Sequence, residues 1–156
     1  MGVAGSGKTT IGKLLAEKLC WKFADADDYH PAANVTKMST GHALSDEDRT
    51  PWLQILRANI ETWTIKNEST VLACSALKKS YRERLQINDA VSVVYLKGDF
   101  ALFEKRLSGR QGHFMKTTML ESQFQTLEEP EDAITVDASE NPETIVNEIC
   151  TKLALN

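Results

Sequence analysis

Apolar residues follow two different spacings along this chain, and the two spacings alternate. Apolar side chains three or four positions apart form one stripe on a helix, and they predict a helix over residues 8–19. Short apolar runs without polar alternation are typical of strands buried on both faces. They occur at residues 20–24, 70–74, 91–96 and 133–136. Strands that alternate with helices along the whole chain predict an α/β fold, a doubly wound parallel sheet flanked by helices, in a single domain of residues 1–156.

Helix start signals divide the rest of the chain. Asp99 is a cap before one apolar helical stretch, and Asn141 followed by Pro142 is a strong start for the last helix. Further helices are predicted over residues 34–38 and 119–127.

A proline predicts a break in the long helical stretch before residue 64. The acidic residues 46–48 are typical of the first turn of a helix. Proline is tolerated at the first helical position but is damaging deeper in a helix. We therefore expect one segment to end before Pro51 and a second helix, capped by Thr50, to run to about residue 64.

The composition narrows the class of protein. The chain has 156 residues, of which 42% are hydrophobic, as expected for one soluble globular domain. The formal net charge of -4 provides no basic footprint for nucleic acid or an anionic membrane. No apolar run has the length of a membrane span, and the N-terminus does not resemble a signal peptide. We therefore expect a cytoplasmic protein with no nucleic-acid and no membrane partner. Three widely separated cysteines without metal-ligand spacing predict reduced, buried thiols.

A phosphate-binding motif opens the chain. Residues 2–9 match G-x-x-x-x-G-K-S/T at every fixed position. Glycines let successive backbone N–H groups point inward, and the following helix adds the positive end of its dipole. Lys8 would bind the β- and γ-phosphates of ATP, and the Thr9 hydroxyl would bind Mg²⁺. The alternative is a glycine-rich turn before an ordinary helix, which the joint presence of glycine, lysine and threonine disfavours. The predicted ATP-binding residues of the loop are Gly2, Val3, Ala4, Gly5, Ser6, Gly7, Lys8, Thr9 and Thr10.

The motif normally follows a buried parallel strand, but only Met1 stands before Gly2. Either the chain begins inside that strand, or another segment fills its place. We expect the first strand to be truncated and the sheet to lose its middle.

Acidic residues follow the first predicted strand. Ligands of doubly wound sheets bind at the carboxyl ends of strands, so Asp25 and Asp27 are expected beside the phosphates. We assign Asp25 to the magnesium ion, and Asp27 to the acceptor hydroxyl, whose proton it would take. The alternative is a solvated acidic turn. The strand at 70–74 is not followed by an acid, so metal support is expected mostly from Thr9, ATP and Asp25.

Basic residues are candidates for binding anions. Arg49 would bind a carboxylate or form a surface ion pair, and Lys78 and Arg82 would reach substrate or form a solvated helix face. Arg106 and Arg110 have the spacing that opens the lid of nucleoside monophosphate kinases. By that likeness Arg106 stacks on adenine and Arg110 contacts the phosphates, with a lid at about residues 109–117.

Several stretches together resemble the gluconokinases of the short, phosphate-loop type. The blocks that carry the resemblance are residues 25–27 with His30 and Pro31, then 41–53, 74–82, 112–114 and 123–130. The resemblance implies ATP- and Mg²⁺-dependent phosphorylation of D-gluconate to 6-phospho-D-gluconate, a fold like that of shikimate and nucleoside monophosphate kinases, and a homodimer. The candidate gluconate ligands are Asp27, His30, Arg49, Lys78, Arg82 and His113, and the candidate catalytic residues are Lys8, Asp27 and Arg110.

Two other functions are open at this point. The first is a related small-molecule kinase that phosphorylates shikimate or another sugar acid. The second is a nucleotide-binding module that does not transfer phosphate.

Overall fold

The computed structural model of the protein describes residues 1–108 and 113–155, with the side chains of residues 113–117 outside that description. Among the described residues, no helix is long and apolar enough to cross a membrane. The elements in chain order are α1 (Lys8–Leu19), β1 (Lys22–Asp25), a short 3₁₀ helix (Ala26–Tyr29), α2 (Ala32–Ser39), α3 (Asp46–Ile65), β2 (Thr70–Ala73), α4 (Lys79–Leu85), β3 (Val94–Lys97), α5 (Phe100–Ser108), α6 (His113–Thr126), β4 (Ile134–Asp137) and α7 (Pro142–Lys152).

The described strands form two parallel pairs. β1 pairs with β2, with Phe23 opposite Val71, and β3 pairs with β4, with Tyr95 opposite Thr135. Helices connect the strands within each pair, as parallel pairing requires. The α/β fold with helices flanking parallel strands, predicted from the spacing of apolar residues, is confirmed.

Two apolar clusters support the strands. One packs α1, α5 and α7 around β3 and β4, and the other packs α3 and α4 against the loop that follows β2. Both clusters contain side chains that are almost fully buried, because each helix turns its apolar stripe inward. Those with 1% exposure or less include Leu53, Leu56, Phe103, Leu120, Val136 and Ile149.

A groove of about 580 Å³ runs between β2 and β3, and we call it the strand groove. Its apolar lining includes Val71, Leu72, Val93, Val94 and Leu96. Met1 lies in this groove and forms two hydrogen bonds with β3. Its amino group donates to the Val94 carbonyl, and its carbonyl accepts from the Leu96 N–H at 3.0 Å. Bonds to residues two apart are the pattern of a parallel ladder. Met1 therefore occupies one position of a strand that would lie between β2 and β3, where the sequence predicts a strand.

The amino group of Met1 is buried in this groove. Burial lowers the pKa of the α-amino group from 8.0 to about 5. The cause is desolvation, which disfavours the charged form of an amine. Lys8 and Arg82 add to the shift through their positive charges.

The break predicted at Pro51 is wrong, because α3 is one helix with Pro51 inside it. A capping box starts the helix: the Asp48 N–H donates to the Ser45 hydroxyl at 3.2 Å, and the Ser45 N–H donates to the Asp48 carboxylate at 2.7 Å. Thr50 is an interior residue of this helix and not a cap. Proline costs this helix one backbone hydrogen bond. The capping box and the burial of one helix face stabilise the helix by more than that loss. The buried residues of that face are Trp52, Leu53, Leu56 and Ile60.

Some element boundaries differ from the predicted ones. β1 begins after residue 21 because Cys20 ends α1 in the left-handed conformation, with φ of 55°. β3 begins at Val94, and the three residues before it are outside the strand. α6 begins at His113, six residues before the predicted start, because its apolar stripe is weak and gives little signal.

Candidate active site

The phosphate loop adopts a tight, left-handed path before α1. Gly5 and Gly7 have φ of 79° and 95°, a region that favours glycine. A Cβ on Gly5 would lie 3.0 Å from the carbonyl oxygen of Phe103, so a side chain there would also meet backbone. These two glycines are therefore required by the conformation of the loop, and the helix that follows begins at Lys8 as predicted.

Neighbouring elements hold the other loop residues. Val3 and Ser6 are buried at 2% and 1% exposure, and the Gly2 N–H donates to the Ser75 carbonyl at 3.2 Å. The Ala4 N–H donates to Oε1 of Gln123 on α6 at 2.6 Å. That N–H is therefore occupied by a side chain in this structure, while Thr9 and Thr10 are exposed in the first turn of α1.

Lys8 links the loop to the acidic turn. Its Nζ donates to the Val3 carbonyl at 3.0 Å, which folds the side chain over the loop. Burial lowers the pKa of Lys8, and the negative charges of Asp27 and Asp25 oppose that shift. The Thr9 hydroxyl donates to Oδ2 of Asp25 at 3.0 Å, so the phosphate loop and the acidic turn form one site.

Thr9, in the first turn of α1, and Asp25, at the end of β1, bring two side-chain oxygen groups together. The Thr9 hydroxyl donates to Oδ2 of Asp25 at 3.0 Å, and Oδ1 of Asp25 accepts from the Asp27 N–H at 3.1 Å. Hydroxyl and carboxylate oxygens suit Mg²⁺, which is usually bound by few protein groups together with substrate phosphates. No group of three or more His, Cys, Asp or Glu side chains that could hold a metal occurs in the part of the chain that the structure describes. The donor set fits a magnesium ion held jointly by the protein and a nucleotide.

Asp27 is accessible, whereas His30 is buried behind it. The side chain of Asp27 is 85% exposed, and that of His30 is 7% exposed. The His30 ring stacks on Trp52 with 4.5 Å between centroids and 13° between planes. Asp27 can therefore meet a ligand directly, while His30 lies against the protein interior.

A second polar cluster joins the start of α3 to α4. The Lys78 ammonium lies 2.6 Å from Oδ2 of Asp46, and the Tyr81 hydroxyl also donates to that carboxylate. The bond from Lys78 is the main reason that the pKa of Asp46 is lowered. The Arg49 guanidinium donates to the Leu44 carbonyl and lies 6.0 Å from the Tyr81 ring centroid. Arg49 and Lys78 therefore lie in one cluster, in which Lys78 is paired with Asp46, and their role as gluconate ligands stays a prediction.

Arg82 does not join that cluster, which corrects its prediction as a gluconate ligand. It is 5% exposed, and its guanidinium donates to the carbonyls of Ala76 and Leu77 at 3.1 and 3.0 Å. Helical spacing alone placed Arg82 beside Lys78, but Lys78 is the cap of α4 and Arg82 points under the loop that precedes the helix. Arg82 therefore supports this loop from inside the protein.

Replacing Arg82 by Met should lower the free energy of unfolding by about 3 kcal/mol, because two buried carbonyls lose charged donors. The matched control is Arg84→Met, an exposed arginine on the same helix, which should change stability by about 0.5 kcal/mol or less. Urea denaturation followed by circular dichroism measures both variants. Equal stability of the two variants would show that the buried bonds contribute little.

The structure covers only part of the predicted lid. Arg106 is exposed on α5 and donates to the Ala138 carbonyl at 2.7 Å, in the loop between β4 and α7. Arg110 is one of residues 109–112, which lie outside the described residues, and the side chains of residues 113–117 lie outside the description too. His113 begins α6, and its side chain also lies outside the description. The roles of Arg110 and His113 stay predictions.

Residue-by-residue reasoning missed three polar groups of the site. Asn34 is 5% exposed and donates to the Asp48 carbonyl at 2.9 Å, and Nε1 of Trp52 donates to the Ala26 carbonyl at 2.7 Å. Gln123 is the third, through its bond to the phosphate loop. Trp52 and Gln123 fall inside blocks that carry the gluconokinase resemblance, which is the signal that could have identified them. Asn34 lies outside those blocks and gave no signal.

Comparison with known proteins identifies the family of the chain. A family model described as shikimate kinase matches residues 4–154. The thermoresistant gluconokinase of Escherichia coli strain K12 is 44% identical over 151 residues, covering 94% of this chain and 86% of that protein. The chain belongs to the gluconokinase family. The probable gluconokinase of Xenopus tropicalis is 45% identical over 168 residues, covering 96% of this chain and 88% of that protein.

A solved gluconokinase has the same fold. The crystal structure of a gluconokinase from Sinorhizobium meliloti 1021 superposes with a TM-score of 0.86 at 38% identity, covering 99% of this chain and 89% of that one. The gluconokinase resemblance seen in the sequence is thereby confirmed, and with it the kinase fold and membership of a family of phosphotransferases.

Proposed function

We propose that the protein transfers the γ-phosphoryl group of ATP to the terminal hydroxyl of D-gluconate, giving 6-phospho-D-gluconate and ADP. The observation that carries the proposal is the hydrogen bond of 3.0 Å from Thr9, next to Lys8 in the phosphate-binding motif, to Asp25, because it joins the phosphate loop to the acidic turn that contains Asp27. A kinase needs this arrangement, because the transferred group and the attacking alcohol must meet at one point. The gluconokinase relatives supply the choice of acceptor.

The loop and Lys8 bind and orient the triphosphate in this proposal. The start of α1 and the Lys8 ammonium both offer positive charge where negative charge accumulates on the transferring group. Mg²⁺, held by Thr9 and Asp25 together with ATP, would neutralise phosphate charge when bound. Arg106 is proposed to contact adenine, and Arg110 is proposed to contact the phosphates.

Asp27 acts on the acceptor. Its exposed carboxylate accepts a hydrogen bond from the terminal hydroxyl of gluconate and takes the proton as the oxygen attacks the γ-phosphorus. The bond from phosphorus to the β,γ-bridging oxygen breaks, and ADP leaves with the electron pair. Arg49 and Lys78 bind the gluconate carboxylate, with His113 as a further candidate. A homodimer and a cytoplasmic location stay predictions.

Shikimate is the competing acceptor, because the matching family model is described as shikimate kinase. A coupled assay of ADP release with gluconate, shikimate or no acceptor separates the possibilities. We expect acceptor-dependent turnover with gluconate at least about 100-fold above that with shikimate, because a site that hydrogen-bonds its substrate rejects an acceptor that leaves its polar groups unpaired. Equal turnover of both acceptors would defeat the assignment to gluconate. ATP binding without acceptor-dependent ADP release would favour a nucleotide-binding module.

A further inference from the structure

A chain of buried polar side chains lies behind Asp27. Nδ2 of Asn34 donates to the Asp48 carbonyl at 2.9 Å and lies 3.5 Å from Nδ1 of His30. On the other side of the same ring, Nε2 of His30 lies 3.9 Å from Oδ1 of Asp27. We call this chain of groups, from the Asp48 carbonyl through Asn34 and His30, the Asp27 relay. It connects the first turn of α3 to the predicted catalytic carboxylate.

The relay fixes which ring nitrogen of His30 carries the proton. A backbone carbonyl can only accept, so the Asn34 atom that faces Asp48 is the amide nitrogen, which can only donate. Since the same nitrogen faces Nδ1 of His30, Nδ1 accepts. Burial lowers the pKa of His30, so the ring is neutral and has a single N–H. That proton is on Nε2, the atom directed at Asp27.

Trp52 holds the ring and the turn together. Its indole stacks on His30 nearly in parallel, and its Nε1 donates to the carbonyl of Ala26 in a buried bond of 2.7 Å. Ala26 lies between the two acidic residues of the site. Trp52 therefore fixes the plane of the imidazole and the backbone that carries Asp27.

The remaining distance is too long for a direct hydrogen bond. At 3.9 Å, Nε2 and Oδ1 lie outside hydrogen-bond range, but catalytic hydrogen bonds are often long in free enzymes and shorten when substrate is bound. Asp27 is otherwise highly exposed, so its rotamer would be poorly defined without a donor behind it. We propose that His30 is a positioning residue: its Nε2–H donates to Asp27 in the complex with gluconate and aims the other carboxylate oxygen at the acceptor hydroxyl.

The proposal rests on the proposed function of Asp27, and two variants of one residue test it. His30→Phe keeps an aromatic ring against Trp52 and removes both nitrogens, whereas His30→Gln gives up the stack and keeps an N–H donor. We expect His30→Phe to lower kcat about 10- to 100-fold, with KM for ATP and gluconate within about twofold, since one hydrogen bond to a charged group is lost. We expect kcat of His30→Gln to be higher than that of His30→Phe, with at least half of the decrease in log kcat recovered.

Two outcomes would overturn the positioning role. The first is a kcat of His30→Phe close to that of the unaltered enzyme. The second is a lower kcat in His30→Gln than in His30→Phe, which would show that the stack and not the donor matters. Thermal denaturation of both variants separates loss of activity from loss of fold.

Nitrogen NMR of the imidazole provides a readout that does not depend on turnover. In the unaltered protein we expect the proton on Nε2, and a proton on Nδ1 would overturn the proposal. If the unaltered protein fails to phosphorylate gluconate while the Nε2–H form is observed, the proposed function fails and the geometry of the relay stands. The two failures are thereby distinguishable.

Discussion

Replacing Asp27 by Asn lowers kcat for gluconate phosphorylation by about 100- to 10,000-fold, the range for loss of a positioned general base. The amide cannot take the proton of the acceptor hydroxyl, but it has nearly the same shape. The distance from the phosphate loop to the turn is therefore kept, and ATP affinity should change by less than about threefold. Steady-state kinetics with gluconate and equilibrium binding of ATP measure the two effects separately.

Asp28→Asn is the matched control for this experiment. Asp28 is exposed on the same 3₁₀ helix, so the substitution removes the same charge one residue away. Its kcat should stay within about twofold of the unaltered enzyme, because exposed charges act weakly at a distance. Near-normal turnover of Asp27→Asn would remove Asp27 from the chemistry. A similar loss in both variants would indicate a general effect of net charge at this turn.

An apolar strand of four residues added before Met1 should raise the free energy of unfolding by about 3 kcal/mol. Each buried apolar side chain contributes about 2 kcal/mol, and most of the sum is offset by the entropy lost on ordering four residues. The added strand would continue the ladder that Met1 begins with Val94 and Leu96. It would also replace the buried amino group, whose pKa is lowered to about 5, by a neutral peptide N–H. Urea denaturation measures the gain.

A four-residue extension of Gly and Ser is the control for added length, because it offers backbone but no apolar side chains. It should raise the free energy of unfolding by less than about 1 kcal/mol, since flexible residues bury little apolar surface and lose more conformational entropy on folding. Hydrogen exchange locates the effect: amides of β2 and β3 should be protected more strongly with the apolar extension only. Equal stability of the two extended chains would show that the strand groove does not bind an apolar strand.

The parts of the fold that depend on local spacing could be predicted from the sequence. The helix over Lys8–Leu19 could be predicted, with its end given approximately, because a glycine loop precedes it and its apolar stripe is regular. Pro51 misled the prediction because a local rule about proline ignores the burial of the helix face behind it. Tertiary packing decides such conflicts, and a single sequence does not reveal it.

The candidate site also combines features that the sequence predicts with features that depend on tertiary packing. The position of Asp25 close to the phosphate loop could be predicted, because ligands of such sheets bind at the carboxyl ends of the strands. The buried hydrogen bonds of Arg82 could not be predicted from the sequence. Helical spacing shows which face of a helix a residue lies on, but it does not show whether other parts of the protein cover that face. The contact of Asn34 with Asp48 joins two consecutive helices, and the spacing of residues within one helix does not reveal which residues meet between helices.

The bond between Gln123 and the Ala4 N–H has a mechanical consequence. Gln123 is on α6, a helix that begins at His113, within the segment predicted to close over the nucleotide. A helix transmits displacement along its length because its backbone bonds are internal. A shift of the first turn of α6 would therefore push or pull the Ala4 amide, and a triphosphate seated in the glycine turn would resist that shift. By thermodynamic reciprocity, nucleotide affinity and the placement of α6 would then influence each other to the same extent.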